Sequence, residues 1–376
     1  MFLSIILVAG LSSCNKDDVI IADEPELPSQ VGDFDPVFAG ASYFQRATER
    51  YTFVGRPVFI TPVVEGDSYE WCIDGRLSDC TTATLKFTPE APGDYVVDVT
   101  IDGTVNGRLT VVCVPETERQ MYRPGESKEL IVYEYVPAPG QFINESVGDM
   151  TRVEAAGWAA GRIKDRDFVS LGGFGGYIVV GFGHSIRDFI VKGNAFTNKS
   201  GASNEPGIVY VMQDVNGNGR PDEEWYELRG SETGSDATVQ NYAVTYRRPA
   251  ALGQPVDWLD CFGEVGQIDY MAPIHKQDYY YPSWIEEDEY TLRGTLVAAR
   301  SERDQAGQWV NYPLESGYAD NTGSNNDVFY IADAMFDDLS PVRLEYIDFI
   351  KIQTGVNGKC GPLGELSTEI SEVSER

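Results

Sequence analysis

One stretch of the chain carries oxygen-bearing side chains on alternate residues, a spacing that suits the binding of a hard cation. Residues 214–224 read DVNGNGRPDEE. Ca2+ takes about six to eight oxygen ligands, and a loop that supplies them needs carboxylates or amides on alternate residues and a glycine at its sharpest turn. The pattern therefore predicts Ca2+ as a bound cofactor. The predicted ligands are the side chains of Asp214, Asn216, Asn218 and Asp222 and the main-chain carbonyl oxygen of Arg220.

The end of this loop distinguishes it from an EF-hand. Trp225 stands where an EF-hand has its bidentate glutamate, so Glu223 or Glu224 must complete the coordination. The pattern is instead the nine-residue DxNxNGxxD type of extracellular proteins. An ordinary Asn-Gly turn rich in aspartate is the alternative that stays open. The calcium interpretation gives a cofactor, and neither interpretation gives an activity.

The elements that position this loop are predicted to be strands. The chain has 38 Gly, 20 Pro, 21 Tyr and 17 Phe with few segments of helical spacing, so we expect an all-β protein with little helix. Residues 207–212 are an apolar run directly before the loop, and residues 225–228 continue as a strand after it. The predicted metal therefore links two strands of a β-sandwich.

Two folded units are expected along the chain. In residues 31–115, a tryptophan strand at 69–75 and an alternating strand at 93–101 resemble the PKD and immunoglobulin-like sandwich, with Trp71 in the core and Tyr95 near a strand entry. Residues 116–376 are long enough for a larger, jelly-roll-like β-sandwich that contains the calcium loop. Modules of the first kind mostly act as spacers.

The N-terminus reads as a lipoprotein signal. An apolar run at residues 1–10 is followed by Leu-Ser-Ser-Cys, which predicts residues 1–14 as a signal peptide and Cys14 as the lipidated residue. Residues 15–30 are expected to be an extended tether. Their first residues, Asn-Lys-Asp-Asp, resemble the surface-export signal of Bacteroidetes lipoproteins, which implies an outer-membrane protein that faces the cell exterior. The lipid anchor is the one membrane contact that we expect.

The net charge and the number of cysteines limit the classes of binding partner and indicate the redox state of the compartment. The net charge of −30 argues against nucleic acid or an anionic bilayer surface as a partner. Six cysteines leave five after lipidation, an odd number in an oxidising compartment. Cys72 is expected to pair with Cys80 or with Cys113, and the sequence does not decide between them. The other two cysteines, Cys261 and Cys360, are left without an assigned pairing.

A series of short motifs is spread over residues 165–370. The motifs are LGGFGG at 171–176, GNAF at 193–196, EPGIV at 205–209, DVNGNG at 214–219, WYEL at 225–228, DFIKIQT at 348–354 and GELSTE at 364–369. The series resembles a family of bacterial cell-surface proteins, which in Bacteroidetes are PKD-like surface lipoproteins that accompany outer-membrane uptake systems built around TonB-dependent transporters. The resemblance implies a transporter complex as partner, and it supplies no catalytic residues.

Several residues outside the loop are candidates for the functional site. Glu205 is expected near the calcium loop, where it contacts the calcium ligands or the ion itself, and Asn194 is assigned the same supporting role. Glu365 and Glu369 are expected to face this site on the strength of the family resemblance alone. Residues 320–327, DNTGSNND, are either a second calcium loop or a solvated loop.

An aromatic cluster is the candidate for ligand contact. A period-2 strand buries only half of such a cluster, so some rings are expected at a surface where they can stack on sugar faces. Packing of the same rings in the core is the equally weighted alternative. The residues are Tyr279, Tyr280, Tyr281 and Trp284.

These observations predict a surface lipoprotein that binds a nutrient, either a glycan or a corrinoid-like cargo, or a partner protein for an uptake system. A calcium-dependent glycan hydrolase or lyase is the alternative from the enzyme class, because the many acidic residues always allow a catalytic pair. A structural or adhesive surface protein is the third. With two histidines and no hydrolase motif, binding is favoured over catalysis.

Overall fold

The structure is a computed structural model, and it describes residue 38 and residues 49–144, 150–199, 201–271, 275, 277–322 and 327–376. The predicted signal peptide, Cys14 and the tether lie outside the described residues. Within the described part, the chain is nearly all β, as the composition predicts: it has 26 strands, one α-helix and two 3-10 helices. No helix among these residues is long and apolar enough to cross a membrane.

Two sheets built from residues 49–114 form the first sandwich. The larger sheet has the strand order β1-β7-β6-β3-β4, and β2 pairs with β5. The core between them contains Trp71, which is fully buried and donates its indole N–H to the carbonyl oxygen of Thr82 at 2.9 Å. The Tyr95 hydroxyl donates to the carbonyl oxygen of Ala91 at 2.8 Å, where the chain enters β6. The strands are β1 (Glu49–Phe53), β2 (Val58–Ile60), β3 (Tyr69–Ile73), β4 (Arg76–Leu77), β5 (Leu85–Phe87), β6 (Gly93–Ile101) and β7 (Val105–Val114).

Residues from 131 onward form the second, larger sandwich. Its strands are β8 (Ile131–Val136), β9 (Val169–Ser170), β10 (Tyr177–Ile186), β11 (Phe189–Lys192), β12 (Phe196–Asn198), β13 (Gly201–Ser203), β14 (Gly207–Met212), β15 (Tyr226–Leu228), β16 (Val239–Arg247), β17 (Val256–Asp260), β18 (Val265–Ile268), β19 (Glu289–Leu296), β20 (Ser301–Arg303), β21 (Trp309–Asn311), β22 (Asp327–Phe329), β23 (Ala334–Met335), β24 (Ile347–Thr354), β25 (Glu369–Ile370) and β26 (Glu372–Glu375). The α-helix, α1, is Arg152–Lys164, and the 3-10 helices are Ile331–Asp333 and Gly361–Leu363.

An antiparallel six-stranded sheet, β23-β15-β14-β24-β10-β8, is the centre of this second sandwich. All six residues of β14 are buried, so this strand is apolar throughout and does not alternate. The four-stranded sheet β18-β17-β16-β19 packs on it, and the Gln353 amide of β24 donates to the carbonyl oxygen of Arg293 in β19 at 3.0 Å. One core fills the space between the two sheets.

The α-helix was not expected from the sequence, although a capping signal precedes it. Thr151 and Glu154 form a capping box, in which Glu154 accepts from the Thr151 N–H at 2.8 Å and the Thr151 hydroxyl oxygen accepts from the Glu154 N–H at 3.3 Å. The helix buries a face made mostly of alanine. Alanine gives a weak apolar pattern, which is why periodicity alone did not indicate the helix.

All five cysteines of the described chain are free, which corrects the expected disulfide. In the sheet, Cys72 of β3 lies opposite Asp98 on one edge of β6, and Cys113 of β7 lies opposite Gly93 on the other edge of β6. Five residues of extended strand separate these two positions by roughly 17 Å, far beyond the ~7 Å between Cα atoms that a disulfide allows. Cys80 instead places its thiol 3.5 Å from the carbonyl oxygen of Thr84.

The first sandwich docks on the end of the second that carries the 214–224 loop. The Arg50 guanidinium lies 3.2 Å from the carboxylate of Glu224, and the rings of Phe59 and Phe336 lie 5.5 Å apart. Arg56 donates to the side-chain oxygen of Gln213 at 2.5 Å. Charged, polar and aromatic contacts therefore join the two sandwiches at this end.

Candidate functional site

The 214–224 loop follows β14 directly and folds around its own side chains. Gly217 and Gly219 both have positive φ angles, +75° and +73°, which lets the chain reverse sharply. The Gly219 N–H donates to Asp214 at 3.0 Å, and the Asn218 amide donates to Asp222 at 2.9 Å. Glu223 accepts from the backbone N–H groups of residues 215 and 216 at 2.8 and 3.1 Å. The side chains spaced along the sequence thus converge on the loop interior.

Within the described residues, four buried carboxylate oxygens of this loop have no hydrogen-bond partner, and one of them, on Glu224, forms an ion pair with Arg50. The other three are Asp214 Oδ1, Asp222 Oδ1 and Glu223 Oε2. Burial raises the pKa of Asp214 and Asp222, and it raises the pKa of Glu223 to about 9, with the neighbouring Asp222 adding to the shift. Asp214 Oδ2 lies 3.4 Å from the Arg123 guanidinium, but a buried carboxylate oxygen without a donor is still costly, and a bound cation removes that cost. The residues present therefore fit a Ca2+ ion.

The two glutamates that could complete the loop point to different partners. Glu223 bonds the loop backbone, whereas Glu224 pairs with Arg50 of the first sandwich. Asn216 and Asn218 accept from backbone N–H groups two residues ahead, at 3.0 and 2.8 Å. The assignment of the Arg220 carbonyl oxygen as a ligand stays a prediction.

The aromatic cluster expected at the surface lies in the core, which corrects the prediction of a ligand site there. Tyr280, Tyr281 and Trp284 are 1%, 0% and 6% exposed, and Tyr279 is half-buried. Tyr281 donates to the carbonyl oxygen of Glu287 at 2.7 Å, and Trp284 donates to that of Tyr135 at 3.2 Å. The described residues of this segment form no strand, so the alternation that would have exposed half of the rings does not apply.

A cavity of about 260 Å³ lies at the junction of the two sandwiches, and we call it the junction cavity. It combines aromatic rings with both signs of charge. The exposed side chains of Gln240 and Asn241 are part of its lining, so it reaches the protein surface. The first sandwich contributes Arg50, Phe59 and residues 61–63, and the second contributes residues 223–225, 240–241, 293–295 and 335–337 together with Tyr210, Glu227 and Lys351.

Lys351 enters this cavity from the central sheet through a cluster of aromatic rings. Its Nζ atom lies 4.4 Å from the ring centre of Tyr210, 5.0 Å from that of Trp225 and 5.7 Å from that of Tyr177. Burial lowers the pKa of Lys351 to about 8, and the carboxylate of Glu227 acts in the opposite direction. The rings stabilise the ammonium form by cation–π attraction.

Two further acids of the cavity have raised pKa values. Burial raises the pKa of Glu227 to about 7, although the Thr295 hydroxyl donates to its carboxylate at 2.5 Å. Burial also raises the pKa of Asp337 to about 6, and the negative charge of Glu224 adds to the shift. A cleft with several perturbed titratable groups at a domain junction is the usual setting of a binding or active site.

The 214–224 loop forms part of the wall of this cavity. Glu223 accepts a hydrogen bond from the backbone of the loop, and the next two residues, Glu224 and Trp225, line the cavity. Three consecutive residues therefore connect the loop to the cavity wall. Sequence reasoning missed the cavity because its lining comes from segments far apart in the chain.

A second acidic cluster lies at the other end of β14. Glu205, Asp320 and Glu369 each place one carboxylate oxygen within 4.8 Å of the others, and we call these three residues the acidic triad. Asn194 donates its side-chain N–H to Glu369 at 3.1 Å. The four residues come from four segments of the chain, and the sequence had indicated each of them separately.

The position of Glu205 corrects its expected place beside the calcium loop. Glu205 precedes β14 and Asp214 follows it, so the length of that extended strand separates them, roughly 25–30 Å. Glu205 and Asn194 therefore do not contact the loop. Glu365 accepts from the backbone N–H of Gln141 at 2.6 Å and is not one of the triad.

Comparisons with known proteins place the chain in no family. No protein-family model matches it, and no curated protein matches it. Among solved structures, it is similar to the fibronectin(III)-like modules of Clostridium thermocellum CbhA, with 14% identity, 65% of this chain and 95% of that chain covered, and a TM-score of 0.15.

Two other solved structures are comparably distant. A quinonprotein alcohol dehydrogenase-like protein from Bacteroides thetaiotaomicron has 13% identity, covers 84% of this chain and 72% of its own, and has a TM-score of 0.18. A carbohydrate-binding module of the β-sandwich superfamily has 10% identity, covers 86% of this chain and 93% of its own, and has a TM-score of 0.14. TM-scores this low carry no argument about function. The family resemblance of the sequence stays a prediction.

Proposed function

We propose that this chain is a calcium-stabilised binding protein that holds a sugar-sized, polar ligand in the junction cavity. The observation that carries the proposal is the composition of that cavity. Aromatic rings of Phe59, Trp225 and Phe336 lie there with Arg293, Glu227 and Lys351 in a space of about 260 Å³. Aromatic surfaces with a few fixed polar groups are the common chemistry of small-molecule sites.

The size of the cavity favours one of the expected cargoes. Typical pockets for drug-sized ligands have about 300–1,000 Å³, so a cavity of about 260 Å³ suits one or two sugar units better than a whole corrinoid. The exposed amides of Gln240 and Asn241 at its mouth are suitable partners for sugar hydroxyl groups. The proposed ligand is therefore the end or a short segment of a glycan.

Binding in this proposal is passive capture with a prearranged site. Calcium in the 214–224 loop would hold Glu224 and Trp225 in place before the ligand arrives, so less conformational entropy is lost on binding. Arg50 of the first sandwich and Glu224 of the second, 3.2 Å apart, keep the two walls together. An extracellular calcium site of about 10⁻⁴ to 10⁻³ M affinity is sufficient for this role.

The location and the partner are part of the same proposal. A lipidated Cys14 would hold the protein at the outer surface of the outer membrane, beside a TonB-dependent transporter that receives the cargo. Mass spectrometry of the N-terminal peptide tests the anchor: lipid on Cys14 supports it, and an unmodified mature N-terminus elsewhere contradicts it.

Calorimetric titration with a panel of mono- and oligosaccharides in millimolar calcium tests the binding site. We expect saturable binding that Gln240→Ala and Trp225→Ala weaken. Gln267→Ala, an exposed glutamine outside the cavity, is the matched control and leaves the affinity unchanged. Binding that survives both cavity variants, or no binding to any sugar, contradicts the proposal.

A glycan hydrolase or lyase is the second candidate, and the raised pKa of Glu227 favours it. A carboxylic acid with a pKa of about 7 can serve as a general acid near neutral pH. Released sugar in the titration mixtures, lost in Glu227→Gln while binding persists, would identify an enzyme. Binding without released sugar supports a capture protein.

A further inference from the structure

The acidic triad, Glu205, Asp320 and Glu369, gathers three carboxylates in the interior of the second sandwich, far from the calcium loop. Asp320 and Glu369 are buried, Glu205 is half-buried, and one oxygen of each lies within 4.8 Å of the other two. Within the described residues, no lysine, arginine or histidine forms a salt bridge with any of them. The cluster therefore has carboxylates without a compensating side-chain charge.

Asp320 is held in place by the backbone. Its Oδ1 atom accepts from the N–H groups of Asn194 and Ala195 at 2.7 and 2.8 Å, and its Oδ2 atom accepts from that of Glu369 at 2.9 Å. Hydrogen bonds from several N–H groups favour the ionised form of a carboxyl group. Asp320 is thus fixed by the backbone at the position that Glu205 and Glu369 approach, while burial, with the carboxylate of Glu369 adding to the shift, raises the pKa of Asp320 well above its ordinary value.

Glu369 supplies a separate observation that indicates a missing partner. It is 4% exposed, its Oε2 atom accepts from the Asn194 amide at 3.1 Å, and its Oε1 atom is buried and has no hydrogen-bond partner among the residues that the structure describes. A buried carboxylate oxygen with no donor is rare in a folded protein, because the lost hydration is not replaced. This oxygen can gain a partner in two ways: it can bind a cation, or it can share a proton with Glu205.

We propose that the acidic triad is a second divalent-cation site, in which Glu205, Asp320 and Glu369 bind one Ca2+ or a similar hard cation. The cluster contains only oxygen donors and no histidine or cysteine of the described chain, which favours Ca2+, Mg2+ or Mn2+ over Zn2+. Asn194 is a positioning residue that orients Glu369.

A cation at the triad cross-links segments that are distant in the sequence. Glu205 precedes β14, Asp320 precedes β22, and Glu369 begins β25. The connection between β11 and β12 joins them through Asn194 and Ala195. This site does not contact the junction cavity, so its role is to stabilise the fold at the opposite end of β14.

Counting bound ions in the calcium-loaded full chain tests the proposal. After treatment with a chelator, titration with Ca2+ alone is expected to show two sites, and Glu205→Gln with Glu369→Gln leaves one. Asp214→Asn with Asp222→Asn removes the other site, so the two can be told apart. Glu372→Gln, an acid paired with Lys192 at 2.9 Å, is the matched control and keeps both sites.

A further variant and a measurement on the unaltered protein test the proposal even if the double glutamine variant does not fold. Asn194→Ala is expected to weaken the second site by roughly 10- to 100-fold, the usual effect of losing a partner that orients a ligand. In the unaltered protein, Ca2+ is expected to slow hydrogen exchange of the N–H groups of Asn194, Ala195 and Glu369. Slowed exchange at the 214–224 loop alone, or an unchanged ion count in the double glutamine variant, overturns the proposal and points to a shared proton.

Discussion

At the residue scale, three carboxylate oxygens of the 214–224 loop find no hydrogen-bond partner in the described part of the chain: Asp214 Oδ1, Asp222 Oδ1 and Glu223 Oε2. The same burial that raises their pKa values makes the loop unfavourable without a cation. The structure also separates Glu223, which faces the loop, from Glu224, which pairs with Arg50. Alternate spacing in the sequence could not decide between these neighbours, because the choice depends on the docked first sandwich.

Removal of calcium is expected to destabilise the protein measurably. At a calcium concentration of ten times Kd, binding contributes about 1.4 kcal/mol to the free energy of unfolding, so a chelator lowers Tm by a few degrees. Asp214→Asn is expected to remove the part of this calcium response that the 214–224 loop contributes, whereas exposed Asp257→Asn keeps the full response. Differential scanning calorimetry with and without chelator measures both, and an equal response of the two variants would contradict the assignment.

Glu227 predicts a pH dependence of stability. Its pKa is about 7 in the folded protein against 4.5 for the unperturbed group, so the folded state holds the proton more tightly. Stability from this group is full below pH ~4.5 and is lost as the pH rises to ~7, with a total on the order of 3 kcal/mol. The groups that face Glu227 are Lys351, Asp337 and the Thr295 hydroxyl.

Denaturant unfolding at pH values from 5 to 8 measures this effect. Glu227→Gln is expected to flatten the fall in stability relative to the unaltered protein, since an amide carries no titrating proton. Glu286→Gln, at an exposed position, is the control and follows the unaltered protein. Parallel curves for Glu227→Gln and the control would show that Glu227 is not held in a low-dielectric site.

At the element scale, the sequence predicted which segments form strands better than it predicted how distant segments pack together. Trp71 and the alternating residues of β6 indicated the first sandwich, because period-2 burial is a local property. The 279–284 segment misled the same reasoning: it lies outside any strand, and its rings turn inward where their hydroxyl and indole groups find backbone acceptors. Burial of such a segment depends on the sheets around it and cannot be read from its own pattern.

Trp284 tests this difference between core and binding surface. It is 6% exposed and packs against Tyr135 with ring centres 5.5 Å apart, so Trp284→Ala is expected to cost about 3–5 kcal/mol of stability. The fraction that stays folded keeps its ligand affinity. Chemical denaturation and calorimetric titration of the same sample distinguish a core role of Trp284 from a role in ligand binding. Lost affinity with unchanged stability would show that Trp284 contacts the ligand.

At the scale of the whole molecule, the 214–224 loop, the junction cavity and the two sandwiches are in contact with one another. The loop follows β14, a strand whose residues are all buried, and its last residues line a cavity that the first sandwich also bounds. The first sandwich therefore contributes part of the cavity wall and is not only a spacer. This contact between units was beyond the reach of the sequence, since Arg50 and Glu224 are 174 positions apart.

Hydrogen exchange of the full chain with and without a bound oligosaccharide, in millimolar calcium, tests whether the ligand lies between the two sandwiches. We expect slower exchange at both walls of the junction cavity, residues 58–63 of the first sandwich and residues 223–228 and 293–295 of the second. Protection confined to one sandwich, or to the outer face of the four-stranded sheet around Leu259 and Val265, would contradict it.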